Sequence, residues 1–139
     1  SGKRAILQSG WAGIGGIPMP PDIFLLDVAP HSRLFPRMSA AVHHGGAGTT
    51  AESLRSGVPT VIVPHLADQP FWGTRVAALG VGPRPIPRNK LSAENLAAAI
   101  QQASTDTGMA KRAAELGARI RAEDGIGAAV GVIEEFLEC

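Results

Sequence analysis

The stretch His43-His44-Gly45-Gly46-Ala47-Gly48-Thr49-Thr50-Ala51-Glu52 constrains the fold more than any other part of the chain. It follows the apolar run Ala40-Ala41-Val42 and leads into a helical pattern marked by Ala51 and Leu54. The order is strand, glycine-rich turn, helix N-terminus. Glycine lets backbone approach a ligand closely and takes positive φ without penalty. The first N–H groups of a helix have no internal partner, and the helix dipole adds partial positive charge there. Together these features bind phosphate. An imidazole before the turn and a carboxylate one helical turn in point further, to a nucleotide whose diphosphate is a leaving group.

The rest of the chain repeats the alternation. Arg4–Ser9, Ile23–Asp27, Ala40–His43 and Pro59–Val63 are short apolar runs that predict strands. His31–Phe35 allows one helical turn. Helices are expected over Thr49–Ser56, ended by Gly57, and over Asp68–Leu79, with Asp68 as N-cap and Gly80 as stop. Val81–Ile86 carries two prolines and reads as an edge strand or extended segment. Ser92 caps a helix over Ala93–Ala103. Two more follow, Met109 to about Glu123 and Gly127–Leu137, the last with Val130, Ile133, Phe136 and Leu137 on one stripe. Strands separated by helices predict an α/β fold, a Rossmann-like parallel sheet with flanking helices. Such sheets bind ligands beyond the carboxyl ends of their strands. His44–Thr50, His65–Gln69 and Gly10–Gly16 all follow strands and are expected to share that edge.

Composition narrows the partners. The 139 residues suit one domain, and 45% hydrophobic with 18% charged residues excludes disorder as the main state. A formal net charge of +1 gives no basic footprint for nucleic acid. The single cysteine, Cys139, allows no internal disulfide and suggests a reducing, cytoplasmic setting. No run approaches the roughly 20 apolar residues of a membrane span.

Each candidate residue has a plain structural alternative. Gly46-x-Gly48-x-x-Ala51 satisfies the dinucleotide fingerprint, with Asp68 about 20 residues further on, so a domain binding NAD for an oxidoreductase stays open. No Lys-Ser/Thr follows the glycines, which excludes a nucleoside-triphosphate P-loop. His43 and His44 point to opposite faces, one packed and the other toward the turn. Glu52 either serves the helix dipole or accepts from ribose hydroxyls. Asp68 and Gln69 either cap and start a helix or hold sugar hydroxyls, for which an acceptor beside a mixed donor–acceptor is suited. Trp11, set among glycines, is a core lid or a stacking platform for a base. Trp72 reads as packing. Lys111, Arg112, Arg119 and Arg121 read as a solvated helix face. His43, His44, His65 and Asp68 lack chelating spacing, so no metal is expected.

Together, His43–Glu52, Gly57-Val58-Pro59, Pro64, Asp68-Gln69-Pro-Phe-Trp-Gly-Thr-Arg-Val76 and Gly80-Val81-Gly82 strongly resemble the carboxyl half of nucleotide-sugar-dependent glycosyltransferases. The similarity is to the sterol glucosyltransferase and antibiotic (macrolide and glycopeptide) glycosyltransferase branch of the UDP-glycosyltransferase superfamily. Ser9-Gly10-Trp11 and Val28-Ala29-Pro30-His31 fit the same branch. The resemblance covers nearly the whole chain. It implies the carboxyl-terminal donor domain of the two-domain GT-B fold, with its first strand absent, residues 1–139 forming one donor-binding unit of a larger enzyme.

By that resemblance His44 contacts the diphosphate, Gly46, Gly48 and Thr49 cradle it, Glu52 takes the ribose, and Asp68 and Gln69 hold the sugar. In the plant branch a tryptophan opens a Trp-Ala-Pro-Gln segment and stacks on uracil. Val28 holds that position here, and Trp11 is the substitute platform. The catalytic base belongs to the amino-terminal domain, so no catalytic residue is assigned in this chain, and the chain alone is expected to be inactive. The implied parent is an inverting, metal-independent hexosyltransferase. Its donor is UDP-glucose, or another UDP- or TDP-sugar. Its acceptor is a hydroxyl of a lipophilic molecule such as a sterol or polyketide, with peripheral membrane association of the parent. No cofactor beyond the donor is expected. A non-catalytic nucleotide-sugar-binding module is the remaining alternative.

Overall fold

The computed structural model describes residues 2–9 and 18–137. Four short strands appear where the apolar runs predict them: β1 (Ala5–Gln8), β2 (Ile23–Leu26), β3 (Ala41–His43) and β4 (Thr60–Ile62). Six helices accompany them: α1 (His31–Leu34), α2 (Ala47–Ser56), α3 (Gln69–Ala78), α4 (Ala93–Thr105), α5 (Thr107–Ala122) and α6 (Gly125–Leu137). Every strand pairing is parallel, β1 with β2 and β3 with β4. Among the described residues these are two separate two-stranded ladders rather than one continuous sheet.

Strand β4 is the centre of the molecule. Its side chains alternate, and both faces are covered, as a parallel strand between helix layers requires. Ile62 packs with Leu54, Val76, Val81 and Ala113 on one side. Val61 packs with Ile86, Ala99, Ala103 and Met109 on the other. The segment after α3 stays beside β4: Thr60 N–H donates to Val81 O and Ile86 N–H to Ile62 O. Pro83 and Pro85 lack N–H groups, so the segment lies alongside as extended chain and forms no ladder.

Helix α5 braces the two helices that follow β3 and β4. Gly117 meets Gly57 so closely that a Cβ on Gly117 would stand 2.7 Å from the Gly57 Cα. Arg112 Nε donates to Gly80 O, 2.8 Å, just past the end of α3. Arg121 Nη1 donates to Arg55 O in the last turn of α2. The basic cluster is exposed, as a solvated face should be, but it does more than face solvent. Two of its arginines satisfy carbonyls at helix ends, where positive charge also suits the dipole. The apolar stripe of α6 forms as expected, but Val130, Ile133, Phe136 and Leu137 are exposed.

Candidate functional site

The site is built where β3 and β4 end. After His43 the chain turns through Gly45, at φ +90°, a conformation glycine takes at little cost. A Cβ there would stand 2.6 Å from Ile62 Cγ2 and 3.3 Å from Gln69 O. The glycine turn is therefore pressed against the end of β4 and the start of α3, and the two predicted loops meet. Helix α2 begins at Ala47, two residues earlier than the sequence pattern suggests, with Gly46 as N-cap and no side chain capping it. Its leading N–H groups are left for another partner.

His44 and Gly48 shape that opening. His44 is exposed, and its ring lies over Gly46, where an added Cβ would stand 2.6 Å from Nε2. Gly48 sits in the first turn of α2, and among the described residues nothing lies within 4 Å of where a Cβ would be. Glycine in a helix costs about 1 kcal/mol relative to alanine. Packing among the described residues does not demand that cost at Gly48. Thr49 and Glu52, both half-buried, stand one turn apart on one face of α2. Because the helix starts early, Glu52 lies in its second turn, beyond the reach of the dipole effect, and the dipole reading of Glu52 loses its basis.

His43 is the packed histidine of the pair. Its Nδ1 accepts from Gly45 N–H at 3.1 Å, and its Nε2 lies 3.2 Å from Ser53 Oγ, which donates to Thr50 O at 2.9 Å. Burial, with the charges of His44 and His31 adding, lowers its pKa from 6.5 to about 4. Sequence reasoning left Ser53 and Thr50 unassigned. Both are fully buried, and Thr50 Oγ1 has no hydrogen-bond partner among the described residues.

The second loop is tied by its own side chains. Gln69 Oε1 accepts from His65 N–H, 2.8 Å, and Leu66 N–H, 3.1 Å. Its carbonyl is thus committed to the loop, and its amide NH₂ remains as the donor. Asp68 occupies the N-cap position of α3 but makes no cap hydrogen bond. Its Oδ2 accepts from Trp72 Nε1 at 2.8 Å instead. The expected N-cap is corrected, because an indole one turn ahead competes for the carboxylate, and Trp72 does more than pack. Ala67 carries φ +56°, a strained setting for a residue with a side chain. A cleft of about 550 Å³ adjoins this loop, lined by Pro64, His65, Pro70, Pro87, Arg88 and Asn89.

A row of rings connects the two ladders at this edge. His31, whose Nε2 lies 3.2 Å from Gln8 Oε1, stacks on Phe35 at 4.7 Å, and Phe35 stands 6.4 Å from His43. Val28, just before α1, is 84% exposed and open to a ligand. Trp11 and the Gly10–Gly16 loop lie outside the described residues. Gly46, Gly48 and Thr49 thus lie at the start of α2 beside His44, Glu52 lies one turn further along, and Gln69 at the start of α3 lies against Gly45. Among the described residues no three His, Cys, Asp or Glu side chains converge as metal ligands.

Parallel strands whose carboxyl ends carry two adjacent helix N-termini define a Rossmann-like α/β domain. Residues 12–132 match the family described as Erythromycin biosynthesis protein CIII-like, C-terminal domain, and the chain belongs to that family. It is 48% identical over 137 residues to sterol 3-beta-glucosyltransferase UGT80A2 of Arabidopsis thaliana, covering 97% of this chain and 21% of that protein. It is 45% identical over 143 residues to a sterol 3-beta-glucosyltransferase of Aspergillus clavatus, covering 97% of this chain and 10% of the other. Among solved structures, the glycotransferase of kitacinnamycin superposes with a TM-score of 0.84 at 31% identity, over 94% of this chain and 34% of that one. Glycosyltransferase VinC in complex with DTDP gives 0.80 at 27% identity, over 91% and 31%. The chain spans about a fifth or less of these curated relatives and about a third of the solved chains.

Proposed function

We propose that this chain is the nucleotide-sugar donor domain of an inverting glycosyltransferase that moves a hexose, glucose from UDP-glucose, to a hydroxyl of a lipophilic acceptor such as a sterol. The observation that carries the reading is the uncapped start of α2 behind the glycine turn, with His44 over Gly46 and open space at Gly48. Helix N–H groups and an imidazole meet there, where a diphosphate would lie. Glu52, on the same face, suits ribose hydroxyls. The Gln69 NH₂ and the free oxygen of Asp68 suit the sugar. The sterol glucosyltransferase relatives support a glucosyl donor and a sterol-like acceptor.

The chemistry is one in-line displacement. An acceptor hydroxyl, deprotonated by a base on an acceptor domain, forms a new C–O bond at the anomeric carbon. The bond from that carbon to the diphosphate breaks, and its electron pair leaves on phosphate oxygen. Donors fixed at that oxygen stabilise the charge as it grows, without reorganising. The reading needs no metal, since helix N–H groups and His44 supply the positive potential. The 139 residues alone, lacking the base, transfer no sugar.

Titration of the full-length protein with UDP and with NAD tests the reading, each with and without EDTA. Binding of UDP that survives EDTA supports it. Binding of NAD in preference to UDP overturns it. A ten-fold loss of UDP affinity on chelation, about 1.4 kcal/mol, restores a metal to the site.

A further inference from the structure

Among the groups at this edge, His43 has a half-buried imidazole, hydrogen-bonded at both nitrogens, that the donor-binding reading does not use. The Ser53 hydroxyl has one proton, and it points to the Thr50 carbonyl, which can only accept. Toward His43, therefore, Ser53 Oγ must act as acceptor, and the proton between them belongs to Nε2. With Nε2 protonated in a neutral ring, Nδ1 is bare. It is Nδ1 that receives the Gly45 N–H. The two contacts require the same tautomer, and each excludes the other one. A doubly protonated ring would set an N–H against the Gly45 N–H.

We propose that His43 is the positioning residue of the phosphate turn: its Nε2–H tautomer ties Gly45 to the body of α2 through Ser53 and so fixes His44 and the helix N-terminus relative to each other. The proposal rests on the donor-binding reading for its ligand and on geometry for the network. Gly45 sits at φ +90° between Ile62 and Gln69, with no room for a side chain. Holding its N–H by a ring rooted in β3 couples three elements at one atom. The neighbouring His44 then leaves the turn in a single direction, over Gly46. Phe35 lies nearly parallel to the imidazole, with ring centroids 6.4 Å apart.

The test separates the two contacts in the full-length protein. His43→Asn places an amide oxygen near the position of Nδ1 and keeps an acceptor for Gly45, but is too short for Ser53. His43→Gln reaches Ser53 and loses Gly45. His43→Leu loses both. UDP affinity is measured by calorimetry well below each variant's Tm, and ring ¹⁵N shifts of the free wild-type protein report the tautomer. Affinity within about three-fold of wild type for Asn, and ten-fold or more weaker for Gln and Leu, supports the proposal. Equal affinity in folded Leu and wild type overturns it, as does retention by Gln with loss by Asn. A His43 ring carrying its proton on Nδ1, or titrating near its ordinary pKa, overturns the network whatever UDP does. The expected tautomer in a wild-type protein that takes up no UDP overturns the donor-binding reading and, with it, the positioning role, leaving a structural brace.

Discussion

The helices of the molecule begin in two different ways. Helix α4 starts with a reciprocal capping box: Ser92 accepts from Asn95 N–H, and the Asn95 side chain accepts from Ser92 N–H. Helix α5 starts with Asp106 accepting from Met109 N–H at 2.8 Å. Helices α2 and α3, which follow β3 and β4, have no side-chain cap. At α2 the cap position is Gly46, which has no side chain to offer. At α3 it is Asp68, whose carboxylate is turned to Trp72. Where helices only support the core, the chain spends polar side chains on the orphan N–H groups. At the edge proposed to receive the donor it withholds them. The carboxyl ends show the complement, since α5 secures α2 and α3 from behind with Arg121 and Arg112. Their far ends are held so that their near ends can stay open.

The largest expected effect lies at His44. His44→Ala in the full-length enzyme should lower kcat by about 10²–10³, roughly 3–4 kcal/mol of barrier. It should leave Tm nearly unchanged, because the side chain is exposed. On the proposed reading the imidazole donates where charge grows in the transition state, so the loss should belong to turnover more than to donor affinity. A fall in Tm with normal turnover per folded molecule would place His44 with the supporting residues and break the comparison.

Gly45→Ala comes next. The new Cβ meets Ile62 Cγ2 at 2.6 Å and backbone at 3.3 Å, and the residue must hold φ +90°. Strain and overpacking together should cost about 2–4 kcal/mol of stability, read by denaturant unfolding. Gly48→Ala sharpens the point. Its Cβ enters open space, so stability should rise toward the alanine propensity while UDP affinity falls. Unchanged affinity in that variant would mean that the space at Gly48 is not ligand space.

The brace at His43 should appear as a pH dependence of stability. Its folded pKa, about 4, lies below the unfolded 6.5, so the unfolded chain binds the proton more readily. Stability contributed by this group is present above about pH 6.5 and is lost as pH falls toward about 4. His43→Asn should flatten that part of the curve, measured by urea unfolding across the window. A slope unchanged in the variant would assign the acid sensitivity elsewhere.

Much of this was legible in the sequence because it is local. The His43–Glu52 turn, the stop at Gly57 and the cap at Ser92 are each encoded within a few residues, and each lies where the pattern places it. The loops at the ends of β3 and β4 meet as the topology requires. The parts that stayed hidden depend on partners distant in the chain or on rotamer choices. Arg112 and Arg121 are solvent-facing as read, but their hydrogen bonds were hidden because the acceptors, Gly80 and Arg55, lie 32 and 66 residues away. Gln69 reads as a mixed donor and acceptor, and nothing in the pattern shows that its oxygen is turned back to His65 and Leu66, leaving the NH₂ as the free end. The role of Ser53 needs the pairing of His43 with α2. In α6 the periodicity identified an apolar face correctly but could not say what covers it, and Phe136 is 85% exposed.

The smallest effects give the sharpest test, because they exchange the two kinds of helix start. Ser92→Ala removes a cap where one exists. It should cost about 1 kcal/mol of stability and leave UDP affinity untouched, since α4 supports the core through Ala99 and Ala103, away from the turn. Gly46→Ser adds a cap where none exists. The backbone there, φ −60° and ψ 144°, suits a serine cap, and the gain over glycine should be a few tenths of a kcal/mol. The same hydroxyl would occupy N–H groups that the proposed diphosphate needs, and its Cβ would push the His44 ring from its place over Gly46. Stability and affinity should therefore move in opposite directions at Gly46, while at Ser92 only stability moves. Calorimetric titration with UDP alongside denaturant unfolding reads both quantities. If Gly46→Ser binds UDP as wild type does, the open start of α2 is not what receives the phosphates, and the contrast between the two kinds of helix start loses its functional meaning.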